Sequence, residues 1–122
     1  MSAVNCCEIV QIAEVLADPA LQSRSVRITG RLDAYDAQRN LARVSFQNAS
    51  MTVETRVLAI DNLELRIGSM YQFLGETYQV RNTPTPEVRL VARVARNVDS
   101  LDMDLFLQAL ALRRQFLAAH AY

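Results

Sequence analysis

The chain has little from which a catalytic centre is ordinarily built. Its three glycines are Gly30, Gly68 and Gly75. Neither a G-x-G-x-x-G turn nor a phosphate-cradling P-loop can be written from them. The single histidine, His120, sits near the C-terminal end, and the two cysteines, Cys6 and Cys7, are sequence neighbours. That set cannot supply the four ligands of an ordinary zinc site. Adjacent cysteines rarely bridge each other, because the ring is strained, so both are read as reduced thiols, which suits an intracellular protein. No apolar run approaches the roughly 20 residues that span a bilayer. The first eight residues lack the basic-then-apolar order of a secretory signal, so the expected compartment is cytosol or nucleus. Two carboxylate pairs occur, Asp33 with Asp36 and Asp102 with Asp104. They fit a solvated turn and the acidic first turn of a helix better than acid–base chemistry. The chain is therefore expected not to be an enzyme and to need no cofactor, no metal, no membrane and no small-molecule substrate.

Lysine is missing altogether: all 13 basic residues are arginine, against 13 Asp and Glu. A neutral total argues against coating nucleic acid by bulk charge. A local arginine stripe stays open, since the guanidinium suits planar, bidentate and stacked contacts. Codon bias accounts for the missing lysine equally well.

What is present is a globular composition, 51% apolar and 21% charged over 122 residues, enough for one core. Ile9, Ile12, Ala13 and Leu16 recur at helical spacing, predicting a short helix from Glu8 to Ala17 that ends at Asp18-Pro19. Val26 to Tyr35 alternates strictly, with Val26, Ile28, Gly30, Leu32 and Ala34 on one side. That pattern is a half-buried strand, and its lone inner glycine marks a bend. Leu41 to Phe46 and Thr52 to Ala59 continue the alternation, the latter with Val53, Thr55 and Val57 inward. A connector at Leu63 to Ile67, read as one helical turn, precedes a strand from Met70 to Val80. Two prolines make residues 81–87 a loop. Val88 to Arg96 is a fifth strand, with Val88, Leu90, Ala92 and Val94 inward. A terminal helix, capped by Asp99 or Ser100, runs from about Leu101 to Ala119.

Five short strands in about 70 residues, the first long and bent, suit a small closed barrel. The expected fold is mainly β: a single OB-fold over residues 1–122, its barrel at about 25–96, with a short N-terminal helix and a C-terminal helix at about 100–119. An open five-stranded α+β sheet is the rival.

At roughly 100° per residue the terminal helix carries two apolar faces. One holds Leu101, Leu105, Ala109, Leu112 and Phe116; the other holds Met103, Phe106, Leu107, Leu110, Leu117 and Ala118. A helix lying on its own barrel needs one apolar stripe. The first face is therefore expected to bind a partner helix. OB-folds hold single strands across the outer face of the second and third strands and the loops beside it. Here that surface offers Tyr35, Arg39, Arg43, Arg56, Tyr78 and Arg81. Asp33, Asp36, Glu54 and Glu87 dilute its positive field, so weak nucleic-acid binding is expected.

Several segments resemble a known family. Gly30-Arg-Leu-Asp-Ala-Tyr-Asp36 resembles the G-R-L-x-x-Y-D of the Ten subunits, the smallest OB-fold subunits of the telomeric CST complex. Gly68-Ser-Met-Tyr-Gln-Phe-Leu-Gly-Glu76 is similar to that family's G-S-x-Y-x-x-x-G-E, and Ala92-Arg-Val94 to the A-R-V of its last strand. Gln108-Ala109 and Phe116 fall where its terminal helix has Q-A and a tyrosine. The likeness runs in order from about Ser25 to Leu117. Phe116 in place of tyrosine, the missing lysine and the N-terminal helix depart from it. The resemblance implies pairing with the Stn subunit, also an OB-fold protein, with Arg27 and Phe116 facing it. Through Stn it implies assembly with the Ctc or Cdc large subunit on single-stranded telomeric DNA, in the nucleus at chromosome ends. The smallest subunit of replication protein A is similar in architecture and stands as the alternative. The G-S-x-Y-x-x-x-G-E segment favours the Ten subunit.

Overall fold

A computed structural model describes residues 8–58, 64–80 and 84–119. Cys6, Cys7, Asp61, Asn62, Leu63, Arg81 and His120 lie outside the described residues. The elements run β1 (Glu8–Ile9), α1 (Ile12–Ala17), a 3-10 turn (Pro19–Leu21), β2 (Ser25–Asp36), β3 (Leu41–Phe46), β4 (Ala49–Glu54), β5 (Met70–Val80), β6 (Glu87–Asn97) and α2 (Met103–Ala119).

The strands pair in the order β2-β3-β4-β6-β5, and β5 returns to β2, so five strands close a barrel with β1 outside it. The long strand β2 makes closure possible. Its first half pairs with β5 from Ser25 to Arg31, and its second half pairs with β3 from Arg31 onward. Gly30 stands at the changeover. A Cβ there would lie 2.5 Å from Val44 Cγ1 and 2.8 Å from the Ser45 carbonyl, so only glycine lets β3 come this close. Inside the barrel Val26, Ile28, Leu32, Val44, Val53, Tyr71, Phe73 and Leu90 are fully buried. The Tyr71 hydroxyl donates to the Glu64 carbonyl at 2.9 Å and accepts from Arg66 N–H at 2.8 Å, tying the connector to the core.

The expected N-terminal helix is shorter than its spacing predicts. Glu8 and Ile9 instead form β1, parallel to Val26 and Arg27. The helix starts only after Gln11, whose N–H donates to Glu14 Oε1 at 2.8 Å. This shift turns Ile12 and Val15 into the core, while Ala13 and Leu16 are exposed.

Two bulges correct the inward sets. Asp33 is an extra residue between the pairs Leu32↔Val44 and Ala34↔Arg43, which resets the alternation. Ala34 therefore points to solvent, and Tyr35 packs half-buried against the core. Arg93 is likewise extra between Gly75↔Ala92 and Leu74↔Val94, which leaves Val94 48% exposed and turns Ala95 inward. The third barrel strand lies three residues earlier than expected. Gln47 and Asn48 take φ of 51° and 70° in a two-residue hairpin turn, so β4 begins at Ala49. β4 ends at Glu54, where the chain turns with Leu58 N–H on the Thr55 carbonyl, and Val57 is exposed rather than inward. Residues 64–67 form no helical turn.

The helix α2 is capped by Asp102, whose Oδ1 accepts Leu105 N–H at 3.2 Å. Neither expected cap, Asp99 or Ser100, takes that place: Asp99 is held by Met70 N–H at 2.7 Å and by Asn97.

Candidate partner and nucleic-acid interfaces

The two faces of α2 have different surroundings. On one side Leu110 is buried, and Met103, Phe106 and Leu107 are half-buried. Met103 lines a cavity with Arg31, Ser45, Phe46 and Met70, and Leu110 lines one with Glu8 and Ile9. The helix thus runs beside β2 from the Arg31 end back toward β1. On the opposite side Leu105, Leu112 and Phe116 are 60%, 65% and 60% exposed, and Ala109 is exposed with them; Leu101, 39% exposed, lies ahead of the helix, which begins two residues later than its periodicity predicts. Leu117, near the helix end, is exposed as well.

One charged residue interrupts the inner side. Arg114 donates to Glu14 Oε2 at 2.8 Å, to Glu14 Oε1 at 2.9 Å and to the Ile9 carbonyl at 2.9 Å. The guanidinium beside Glu14 holds that carboxyl below the ordinary carboxylate range against the opposing effect of burial, and the Gln11 N–H adds to it. Arg27, expected at the partner surface, is half-buried on β2, with its Nε buried and without a hydrogen-bond acceptor among the described residues.

Among the described residues, those predicted to contact nucleic acid differ in their partners. Arg43 lies exposed on β3 and donates to Thr52 Oγ1 at 3.0 Å and Ser50 Oγ at 2.9 Å, both neutral hydroxyls. It lines a shallow groove of about 270 Å³ with Tyr35, Asp36, Thr52 and Arg89. Arg39 sits in the β2–β3 turn 3.7 Å from Asp36, whose carboxylate also accepts two backbone N–H groups of that turn. Arg56 and Tyr78 are drawn instead to Glu54. Arg56 Nε lies 3.0 Å from its carboxylate, the Tyr78 hydroxyl bonds to it, and Arg89 reaches it at 3.4 Å. Burial works against a charged Glu54, yet the bonds from Tyr78, Arg56 and Arg89 outweigh it and lower its pKa. Burial, then the Glu54 carboxylate, push the Tyr78 hydroxyl up.

Glu54, Arg89 and Arg114 carry this chemistry, and sequence reasoning singled out none of them as a site. One signal was available: Glu87 and Arg89 are two apart on β6 and so share a side of the strand, and Glu54 and Arg56 have the same spacing across the end of β4. The gathering of β4, β5 and β6 on Glu54 has no local signature. Among the described residues no group of three or more His, Cys, Asp or Glu is placed to hold a metal ion.

Known proteins give this geometry a context. In solved structures the chain resembles one from the crystal structure of the S. pombe Stn1–Ten1 complex, with a TM-score of 0.70 and 12% identity over 93% of this chain and 96% of that one. It also resembles the S. pombe telomere capping protein Ten1, with a TM-score of 0.69 and 12% identity over 89% and 98%. At that identity the likeness shows the fold. In sequence the chain is 36% identical over 93 residues to the CST complex subunit TEN1 of Arabidopsis thaliana, covering 76% of this chain and 70% of that one. A family model described as "Telomere-capping, CST complex subunit" matches residues 3–120. With nearly the whole chain matched, and the motifs from Gly30 to Glu76 in order, the protein belongs to the telomere-capping CST complex subunit family.

Proposed function

We propose that this chain is the small structural subunit of a telomeric CST-type complex that binds single-stranded DNA. It heterodimerises with an OB-fold Stn subunit, protecting chromosome ends and supporting telomere replication in the nucleus. The observation that carries the reading is the outer side of α2, where Leu105, Leu112 and Phe116 are each more than half exposed along one helix face, with Leu101 just ahead of the helix. A stripe of that kind is matched by a partner helix laid against it. That the S. pombe structure is a complex of Ten1 with Stn1 supports an Stn-type partner here. The Ctc or Cdc large subunit is reached through that partner. DNA contact by this chain is accessory, because Arg39 and Arg56 are paired with carboxylates and Arg43 alone of the three bonds to neutral groups.

The test is co-expression with the Stn subunit of the same source, followed by gel filtration. Leu105→Glu with Phe116→Glu abolishes co-elution while the barrel stays folded, because two charges enter a packed apolar contact at a cost of several kcal/mol. Co-elution of the double variant would show that this side of α2 is not the interface.

A further inference from the structure

An apolar inner stripe would have placed a leucine or phenylalanine where Arg114 stands. Eleven residues separate Met103 from Arg114, which at about 100° each returns the side chain to within roughly 20° of the same direction. Arg114 thus points the way Met103 and Leu110 point, while Leu105, Leu112 and Phe116 lie on the far side of the helix. Among the described residues its three hydrogen bonds all end on the N-terminal segment: two on Glu14 of α1 and one on the carbonyl of Ile9 in β1. The acceptors are themselves fixed. Glu14 accepts the Gln11 N–H that starts α1, and β1 is held parallel to β2 at Ile9↔Arg27. A planar guanidinium held by a carboxylate on one edge and a carbonyl on another has one orientation. The apolar contact alone holds α2 less tightly, since Leu110 is the one buried residue of the helix among those described.

We infer that Arg114 is a positioning residue for partner binding: its clamp on Glu14 and Ile9 sets the rotation of α2 about its own axis, and so the direction in which Leu105, Leu112 and Phe116 point. The inference rests on the proposed role of that outer side. A helix that slips or rotates presents the stripe correctly only part of the time, and apparent affinity falls by that fraction.

The experiment uses the full chain and the Stn subunit. Arg114→Met keeps the apolar stem and removes the guanidinium. Glu14→Gln keeps an acceptor for the Gln11 N–H and removes the charge. Each single variant weakens partner binding about tenfold, the scale of a lost charge-assisted pair. The double variant is no weaker than the worse single, because both remove the same clamp. Amide hydrogen exchange in α2 accelerates in all three, while β2 and β5 keep their protection. Unchanged affinity in the single variants, losses that multiply in the double, or unchanged exchange in α2 would each overturn the clamp. If the clamp variants bind normally and the Leu105→Glu, Phe116→Glu chain does not, the interface survives and the clamp falls. If that chain still binds, the interface falls and takes the clamp's role with it.

Discussion

Tyr78 on β5 donates its hydroxyl proton to Glu54 on β4 across the intervening strand β6. Arg89 of β6 is paired in register with Tyr78 and reaches the same carboxylate. Three strands thus share one nearly buried anion, 7% exposed. Glu54→Ala leaves Tyr78 and Arg89 without that acceptor and is expected to lower unfolding free energy by about 1–3 kcal/mol. Tyr78→Phe removes one bond and costs about 1 kcal/mol. Urea unfolding of the two variants measures both. A loss from Tyr78→Phe as large as that from Glu54→Ala would contradict the shared-anion arrangement.

The same carboxylate predicts an acid limit. Glu54 is held below its ordinary value of 4.5 in the fold, so the stabilisation is fully present above that value. It is lost as pH falls through the lower folded value, when the folded chain must at last take up the proton. Glu14, lowered by Arg114, acts in the same direction. The wild type is expected to lose stability on acidification below about pH 4.5, and Glu54→Gln to lose less of it over the same window. Parallel pH profiles for the two would remove Glu54 as a source of acid sensitivity.

Gly75 is expected to be the most demanding of the glycines. A Cβ there would collide with the Val91 carbonyl, a backbone atom that cannot swing away, and would lie 2.9 Å from Ala92 Cα. The bulge beside it brings β6 this close. Gly75→Ala should cost about 3 kcal/mol or more, enough to unfold a small domain at 37 °C. By contrast Gly68 has φ of 97° in open space, so Gly68→Ala carries only the left-handed backbone penalty of about 1–2 kcal/mol. Thermal melts rank them, and a mild Gly75→Ala would mean β5 and β6 can part without loss.

Expressed alone, the chain should self-associate through Leu105 and Leu112, each more than half exposed. Adding the Stn subunit should raise the melting temperature by mass action. Sedimentation at rising concentration reads the first, and calorimetry the second. A single monomer species at high concentration, with no thermal gain from the partner, would remove the outer side of α2 from consideration.

Binding of single-stranded DNA by the lone subunit is expected at micromolar affinity or weaker, with a shallow salt slope, because few phosphates are neutralised. Arg43→Ala should weaken it more than Arg56→Ala, since Arg56 is already paired with Glu54 at 3.0 Å. Fluorescence anisotropy with a labelled telomeric strand at two salt concentrations tests this. Nanomolar binding would end the accessory reading.

Side-chain alternation is a local property of a pleated chain, and it placed Leu41–Phe46 and Met70–Val80 to the residue. Helical periodicity is equally local, and both sides of α2 were legible from it, as was the stripe of Leu105, Ala109, Leu112 and Phe116, although Leu101 lies ahead of the helix. The motifs at Gly30 and Gly68 carried the family. What the tertiary structure alone decided depends on residues far apart in the chain. Two bulges exchanged Ala34 for Tyr35 and Val94 for Ala95 at the core, because an extra residue shows only against the register of the facing strand. Asp102 rather than Asp99 caps α2, because Asp99 is already bound to Met70, 29 positions earlier. Strand β1 exists only where β2 offers it an edge. Arg56 and Tyr78 met at Glu54, and Arg114 met Glu14 across 100 residues. Propensity and periodicity act over a few residues, whereas an ion pair or a strand register forms only once barrel closure has brought distant segments within a few ångströms.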